Sequence, residues 1–271
     1  MKMQSSQPTV ADLLALKGKR QLTKLRVESL DEAAAANAAG IDMLSVPPEV
    51  LSLEGFRAVC PTPFVVGGLE PGAYITEEDY LRVAFRLLKL GANAVYCGAS
   101  LKIIRRLRDE GIPVVGHVGL IPSRRTWTGG FKAVGKTGDS AIMVWQQTKA
   151  LEEAGAFAAE IEVVPPAVAE AISKRTSLLM ISMGAGAGCD AQYLFATDVL
   201  GEHDGHYPRH SKVYRDFHSQ YQRLQQERIA AFREYAADVS SGAYPAASHL
   251  VRMDAAEQDR FLAEMEKMPL V

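Results

Sequence analysis

Four times in this chain of 271 residues a helical stretch ends on glycine and an apolar run follows at once. The junctions are AAG-IDMLSV at Gly40, KLG-ANAVYCG at Gly91, DEG-IPVVGHVGL at Gly111 and EAG-AFAAEIEVV at Gly155. Glycine just past a helix takes the left-handed conformation that stops it, so each junction marks a helix giving way to a strand. The helices are signalled at their other ends too. Ser29 with Glu32 three residues on reads as a capping box, and Thr76 precedes a run with acids in its first turn and Lys89 in its last. In that second helix Tyr80, Ala84, Leu87 and Leu88 share one face, the face expected to be buried.

The strands are near-continuous apolar runs, as in PFVVGGL from Pro63 and PVVGHVGL from Pro113. Strands buried on both faces read this way, which is the mark of a parallel sheet covered by helices. Strands are expected near 21–27, 41–46, 63–69, 93–98, 113–120, 156–164 and 177–184, with a weaker eighth near 199–206. Alternation of this kind over this length predicts an α/β fold, a (β/α)8 TIM barrel. The first strand is not followed by GxGxxG, which argues against a dinucleotide-binding sheet. Residues 1–271 read as one domain with an N-terminal helix and a long C-terminal helix. The tail carries an apolar stripe through Tyr214, Phe217, Tyr221, Leu224 and Phe232, suited to docking on the barrel or to an oligomer contact.

Composition narrows the partners. The net charge is -2 and the 30 Lys and Arg residues are scattered, which excludes a nucleic-acid footprint. No apolar run approaches the roughly 20 residues that span a bilayer, and the first residues lack the apolar core of a secretory signal, so a cytoplasmic protein is expected. Cys60, Cys97 and Cys189 are too few and too scattered for a disulfide framework or a zinc site. Cys97 and Cys189 are expected near the barrel mouth, as buried inert thiols or as nucleophiles.

In a barrel of this type the site forms at the C-terminal ends of the strands. His117 falls at such an end and is followed by a connection of about 18 residues, read as lacking structure of its own, a length that tends to be functional. Gly129 and Gly130 give that loop backbone freedom, and Lys132 and Lys136 give it charge. In AFAAEIEVVP, alternation places Glu160 and Glu162 on the face opposite Ile161 and Val163. If the aliphatic residues face the helices, two carboxylates point into the barrel, which is costly unless they are paired or working. Glu162 is the nearer to the mouth. The glycines of GAGAGCD allow close backbone approach to a ligand, or a tight turn.

The segment GHVGLIPSRRTWTGGFKAVGK resembles the GHxGLxPx…GGxKxxGR/K segment of the ketopantoate hydroxymethyltransferase (3-methyl-2-oxobutanoate hydroxymethyltransferase) family. The likeness continues in order through EIEVVP, GAGAGCDAQ, GHYPRHSK and EYAADVSSGAYPAASH. It implies a barrel of the phosphoenolpyruvate/isocitrate lyase superfamily type. It also implies transfer of a hydroxymethyl group from methylenetetrahydrofolate to a branched 2-oxo acid, aided by a divalent metal, commonly Mg2+. The glutamate of the family's E-x-V-P motif, the proposed base that forms the enolate, matches Glu162. A multi-subunit homo-oligomer is implied as well.

The N-terminal half departs from the family pattern. V-G-D-S is here VPPE, so that Pro48 and Glu49 match the metal aspartate and the substrate serine. The second metal aspartate, in A-D-L-P-F, is matched by Gly68. In V-K-I-E-G the substrate lysine and the metal-side glutamate are matched by Tyr96 and Gly98. Side chains of Pro and Gly supply none of the carboxylate oxygens that Mg2+ needs, so a family-type metal site is not expected. Glu49 and Glu70 are either replacement ligands or solvated loop acids. Arg124 and Arg125, which have no match in the pattern, suit carboxylate recognition or loop solubility. The expected site comprises Glu162 and His117 as catalytic groups and Glu49, Gly68, Tyr96, Arg124, Arg125, Gly184, Ala185 and Gly186 around a small-molecule carboxylate. The reading is an aldolase- or lyase-type enzyme of C–C bonds related to the hydroxymethyltransferases. The alternative is a non-catalytic paralogue that keeps the barrel as a binding or assembly module.

Overall fold

A computed structural model describes residues 7–268. Eight strands, β1 (Leu22–Arg26), β2 (Met43–Val46), β3 (Phe64–Leu69), β4 (Ala94–Cys97), β5 (Val114–Gly119), β6 (Ala158–Glu162), β7 (Leu179–Met183) and β8 (Ala191–Phe195), close into an all-parallel barrel in sequence order. The helices in chain order are α1 (Val10–Ala15), α2 (Leu30–Ala38), α3 (Pro48–Leu51), α4 (Phe56–Val59), α5 (Glu77–Lys89), α6 (Leu101–Asp109), α7 (Arg125–Thr128), α8 (Gly138–Glu153), α9 (Pro166–Ser173), α10 (Ala196–Leu200), α11 (Phe217–Ser241) and α12 (Ala255–Met265). No helix among the described residues is long and apolar enough to cross a membrane.

Alternation along each strand divides the apolar residues into two layers. Leu22, Met43, Phe64, Val66, Ala94, Val115, Leu179, Ile181 and Tyr193 pack together inside the barrel, with Leu13 of α1 in the same cluster. Leu44, Val65, Val95, Val118, Ile161 and Met180 belong to the second cluster, between the strands and the helices. Ile161 therefore faces out, and its neighbours Glu160 and Glu162 face in, as period-two alternation requires. The four glycine junctions all have positive φ, from +75° at Gly40 to +108° at Gly91.

Several expectations need correction. The eighth strand is Ala191–Phe195, whereas 199–206 holds the end of α10 and a loop. No helix intervenes between β7 and β8. The segment 184–190 turns the chain directly, with positive φ at Gly184 and Gly186, so the punctuation that announces the other strands is missing. At the start of α2, Ser29 accepts the Glu32 N–H, but the Glu32 carboxylate takes the N–H of Glu28 rather than that of Ser29. The connection after β5 has structure of its own: a 3-10 turn at Pro122–Arg124 and then α7, which ends on Gly129 at φ +73°.

The described residues fall into two compact units, one ending at Phe217 and the other beginning at His218. In the second unit α11 buries no residue, and the stripe residues Tyr221, Leu224 and Phe232 are exposed. Tyr244 stands edge-on to Tyr235 at 5.6 Å and tilted against His249 at 5.2 Å.

Candidate active site

The register of β5 on β6 sets His117 beside Glu160 and Gly119 beside Glu162. Gly119 is required at its place, because φ is +84° and a Cβ would lie 2.5 Å from the Glu162 carbonyl oxygen. That close approach lets the Leu120 N–H bond the same carbonyl at 2.9 Å, so the long loop leaves β5 directly over Glu162. Val163, next in the chain, has φ +48°, a conformation that a β-branched residue rarely adopts. Two backbone bonds hold it there, from its own N–H to Met183 O at 2.9 Å and from the Val134 N–H to its carbonyl at 3.1 Å. Backbone held against preference in this way is typical of functional sites.

Inside the barrel these strands meet β1, β4 and β8. Lys24, fully buried, places Nζ 2.6 Å from Glu160 Oε1 and 4.4 Å from the centre of the Tyr193 ring. The pair satisfies two charges that would otherwise be prohibitively costly in an apolar interior. The other Glu160 oxygen lies 3.7 Å from His117 Nδ1, and Nδ1 is 2.8 Å from the Tyr96 hydroxyl. Burial, and after it the Glu160 charge, pushes both tyrosine phenols well above their ordinary range, so Tyr96 and Tyr193 keep their protons at neutral pH. His117 Nε2 lies 3.2 Å from Glu162 Oε2. The alignment there is too poor for a hydrogen bond, and Nε2 is left buried with no partner.

Glu162 opens onto a cavity of about 1040 Å³. Lys132, Lys136, Glu162, Gly184, Tyr193 and Arg209 are among its lining residues, and Met183 and Phe195 add apolar surface. A pocket of this size, mostly apolar with a few convergent charged groups, suits a small anionic ligand. On the wall formed after β8, the Asp198 carboxylate accepts from Ser211 Oγ at 2.6 Å, with His203 Nε2 at 3.3 Å, which ties the GHYPRHS segment down over the mouth.

The residues singled out from sequence divide accordingly. His117, Glu162 and Tyr96 come together, and Gly184 lines the cavity with φ +69°, where a Cβ would lie 2.9 Å from His210. Gly68 lies beside Tyr96 in register, and a Cβ there would meet nothing nearer than Val46 O at 3.8 Å. Ala185 is instead packed in the outer cluster, and Gly186 abuts Pro166 of α9. Glu49 and Glu70 are exposed. Arg124 donates to the carbonyls of Gly98 and Ala99 at 3.2 Å each, and Arg125 stacks 5.4 Å from the Phe131 ring; neither lines the Glu162 cavity. Cys189 precedes β8 and so lies at the opposite end of the barrel from the mouth. Its thiol is pushed up to about 12 and that of Cys97 to about 11, chiefly by burial, which removes the thiolate needed of a nucleophile.

Lys24 is the principal residue that sequence reasoning missed. Its signal is parity: in LTKLR it shares the face of Leu22, so an inward Leu implies an inward Lys.

Residues 52–247 match the family model described as ketopantoate hydroxymethyltransferase. The 3-methyl-2-oxobutanoate hydroxymethyltransferase of Kosmotoga olearia is 31% identical over 259 residues, covering 87% of this chain and 94% of the relative. That of Heliobacterium modesticaldum is 38% identical over 199 residues, covering 72% and 70%. Among solved structures, a putative phosphonomutase from Burkholderia cenocepacia aligns with TM-score 0.54 at 14% identity, covering 84% of this chain and 100% of that one. The lyase for 2,3-dimethylmalate, a PEP mutase/isocitrate lyase superfamily member, aligns with TM-score 0.50 at 15% identity, covering 96% and 98%. At such identities the structures speak for the barrel alone, but the sequence matches run through the strands and loops that build the mouth: this chain belongs to the ketopantoate hydroxymethyltransferase family.

Proposed function

We propose that the chain forms the enolate of a 2-oxo acid at the barrel mouth and makes or breaks a C–C bond there, with Glu162 as the base. The observation that carries this reading is the Glu162 carboxylate, presented to a cavity that also holds Lys132 and Lys136. A base must stand within hydrogen-bond reach of the carbon it deprotonates, and the two ammonium groups favour an anionic substrate in the same space. A hydroxymethyl donor of the methylenetetrahydrofolate class is the cosubstrate that family membership suggests.

The residues present do not fit the Mg2+ of the family pattern. Pro48 opens α3 and offers no oxygen ligand, Gly68 and Gly98 offer no side chain, and a Cβ on Gly98 would lie 3.0 Å from the Tyr96 hydroxyl. Glu49, in the first turn of α3, and Glu70, in the loop after β3, are both exposed. No three His, Cys, Asp or Glu residues among those described group as ligands. The proposed chemistry is therefore carried by the chain's own side chains.

The test is exchange of the α-proton. Wild-type protein incubated with a panel of branched and acidic 2-oxo acids in D2O should catalyse loss of the α-proton NMR signal, in the presence and absence of EDTA. If no 2-oxo acid exchanges, the reading fails, and the barrel is a binding or assembly module.

A further inference from the structure

We propose that His117 donates a hydrogen bond to the enolate oxygen through Nε2–H as a neutral imidazole, and that Tyr96 is the positioning residue that fixes this tautomer. The inference rests on the enolate reading above and adds what steadies the developing negative charge.

A neutral imidazole carries one protonated and one bare nitrogen, and its hydrogen bonds select which is which. Nδ1 has two polar neighbours. The Tyr96 hydroxyl is at 2.8 Å, within hydrogen-bond range, and Glu160 Oε2 is at 3.7 Å, beyond it. Glu160 is also held from its far side by Lys24 at 2.6 Å. A phenol that keeps its proton can give it to Nδ1, and the 2.8 Å contact is the hydrogen bond in which this proposal makes Tyr96 the donor. Nδ1 is then the acceptor, and the ring proton resides on Nε2.

That N–H is the atom left without a partner. Buried donors are rarely left bare in native proteins, so an orphan 3.2 Å from a carboxylate that lines the cavity points to an acceptor that arrives with the ligand. The Glu162 Oε2 beside it, at 3.2 Å, belongs to the proposed base. A 2-oxo acid placed to yield its α-proton to Glu162 has its carbonyl carbon one bond from the reacting carbon, and hence its oxygen within reach of Nε2. Glu162 takes the proton from C3. The C–H electron pair becomes the C2–C3 double bond, and the carbonyl pair moves onto oxygen, which accepts the hydrogen bond. His117 keeps its proton throughout, and Glu162 returns a deuteron after exchange with solvent. Donors aimed at a developing oxyanion are commonly the largest single contribution to such reactions, and a neutral histidine can fill this role. Tyr96 and Gly98 act as a unit here, since the phenol hydroxyl occupies the space beside Gly98 that a longer residue would need.

The experiment uses full-length protein labelled with 15N in its histidine rings. In the resting wild type, His117 should show a protonated Nε2 and a bare Nδ1. Tyr96→Phe should shift the ring toward the Nδ1–H form and lower kcat for α-proton exchange by about tenfold or more, with KM within about threefold. His117→Ala should lower kcat by about 100- to 1,000-fold, and His117→Gln, which retains an N–H, should recover part of it. A proton on Nδ1 in the resting protein overturns the inference. So does a Tyr96→Phe variant with unchanged tautomer and kcat while the wild type exchanges normally, or wild-type exchange that EDTA abolishes. If Tyr96→Phe does not fold, the wild-type tautomer and the Ala/Gln comparison at His117 still decide. Absence of exchange by the wild type defeats the enolate reading itself, and the role of His117 falls with it.

Discussion

The β5–β6 side of the mouth presents His117, Glu160 and Glu162, joined across the barrel by Lys24, whereas the ends of β2, β3 and β4 present Pro48, Gly68 and Gly98. One side holds titratable side chains, and the other holds Pro and Gly, with room beside Gly68 and the Tyr96 hydroxyl closing the space beside Gly98. A carboxylate cluster needs a cation to be stable in an interior, and a buried ammonium can serve as that cation without any bound ion. In this chain the compensating charge comes from β1, and the β2–β4 rim carries none of it.

The sharpest way to break the contrast is Glu162→Gln, nearly isosteric and on the active side. It should leave the fold intact and reduce α-proton exchange by roughly 100- to 10,000-fold; turnover near the wild-type rate would remove Glu162 from its role. Next in size is the ion pair. Lys24→Met leaves Glu160 buried and unpaired and should cost about 3–5 kcal/mol in urea unfolding, while Lys24→Met with Glu160→Leu should recover most of that. On the quiet side the effects are steric and smaller. Gly98→Ala should cost about 1–3 kcal/mol, because its Cβ would lie 3.0 Å from the Tyr96 hydroxyl, and markedly less in a Tyr96→Phe background, where the nearest carbon is 3.6 Å away. Gly68→Ala should stay within about 0.5 kcal/mol of wild type, because a Cβ there meets nothing nearer than Val46 O at 3.8 Å, and thermal unfolding of these variants would show whether the two glycines differ as described. Smallest of all is the thiol response. With Cys97 at about 11 and Cys189 at about 12, thiolate at pH 7 amounts to about one part in 10,000 or less, so a thiol reagent should label the native protein only on unfolding.

The barrel was legible because helix ends and strand runs are local signals. Gly40, Gly91, Gly111 and Gly155 are each required by the conformation of one residue, and seven strands lie inside the stretches expected of them. The eighth was misplaced because β8 follows no helix, so neither cap nor junction announces AQYLF. Glu160 and Glu162 were legible from parity, and their inward orientation follows directly. Lys24 was overlooked because its reason lies in another strand: a lysine in LTKLR looks like any strand lysine until β6 supplies Glu160. The roles of Ala185 and Gly186 were equally out of reach, since what they touch, the outer cluster and Pro166, is set by packing and not by the glycine-rich string itself.

Lys24 and Glu160 stand 136 residues apart, and this spacing bears on how the chain assembles. While the protein is being synthesised, the first five strands carry an ammonium group on the inward face and no carboxylate to receive it. They cannot settle into a dry core of their own without stranding that charge. The sixth strand brings the carboxylate that pairs with it, and closure of β8 on β1 completes the wall around the pair. Long-range closure of this kind slows folding, and the ion pair makes partial barrels poor resting places along the way. The same two residues that neutralise one another in the finished interior thus tie its first strand to its sixth.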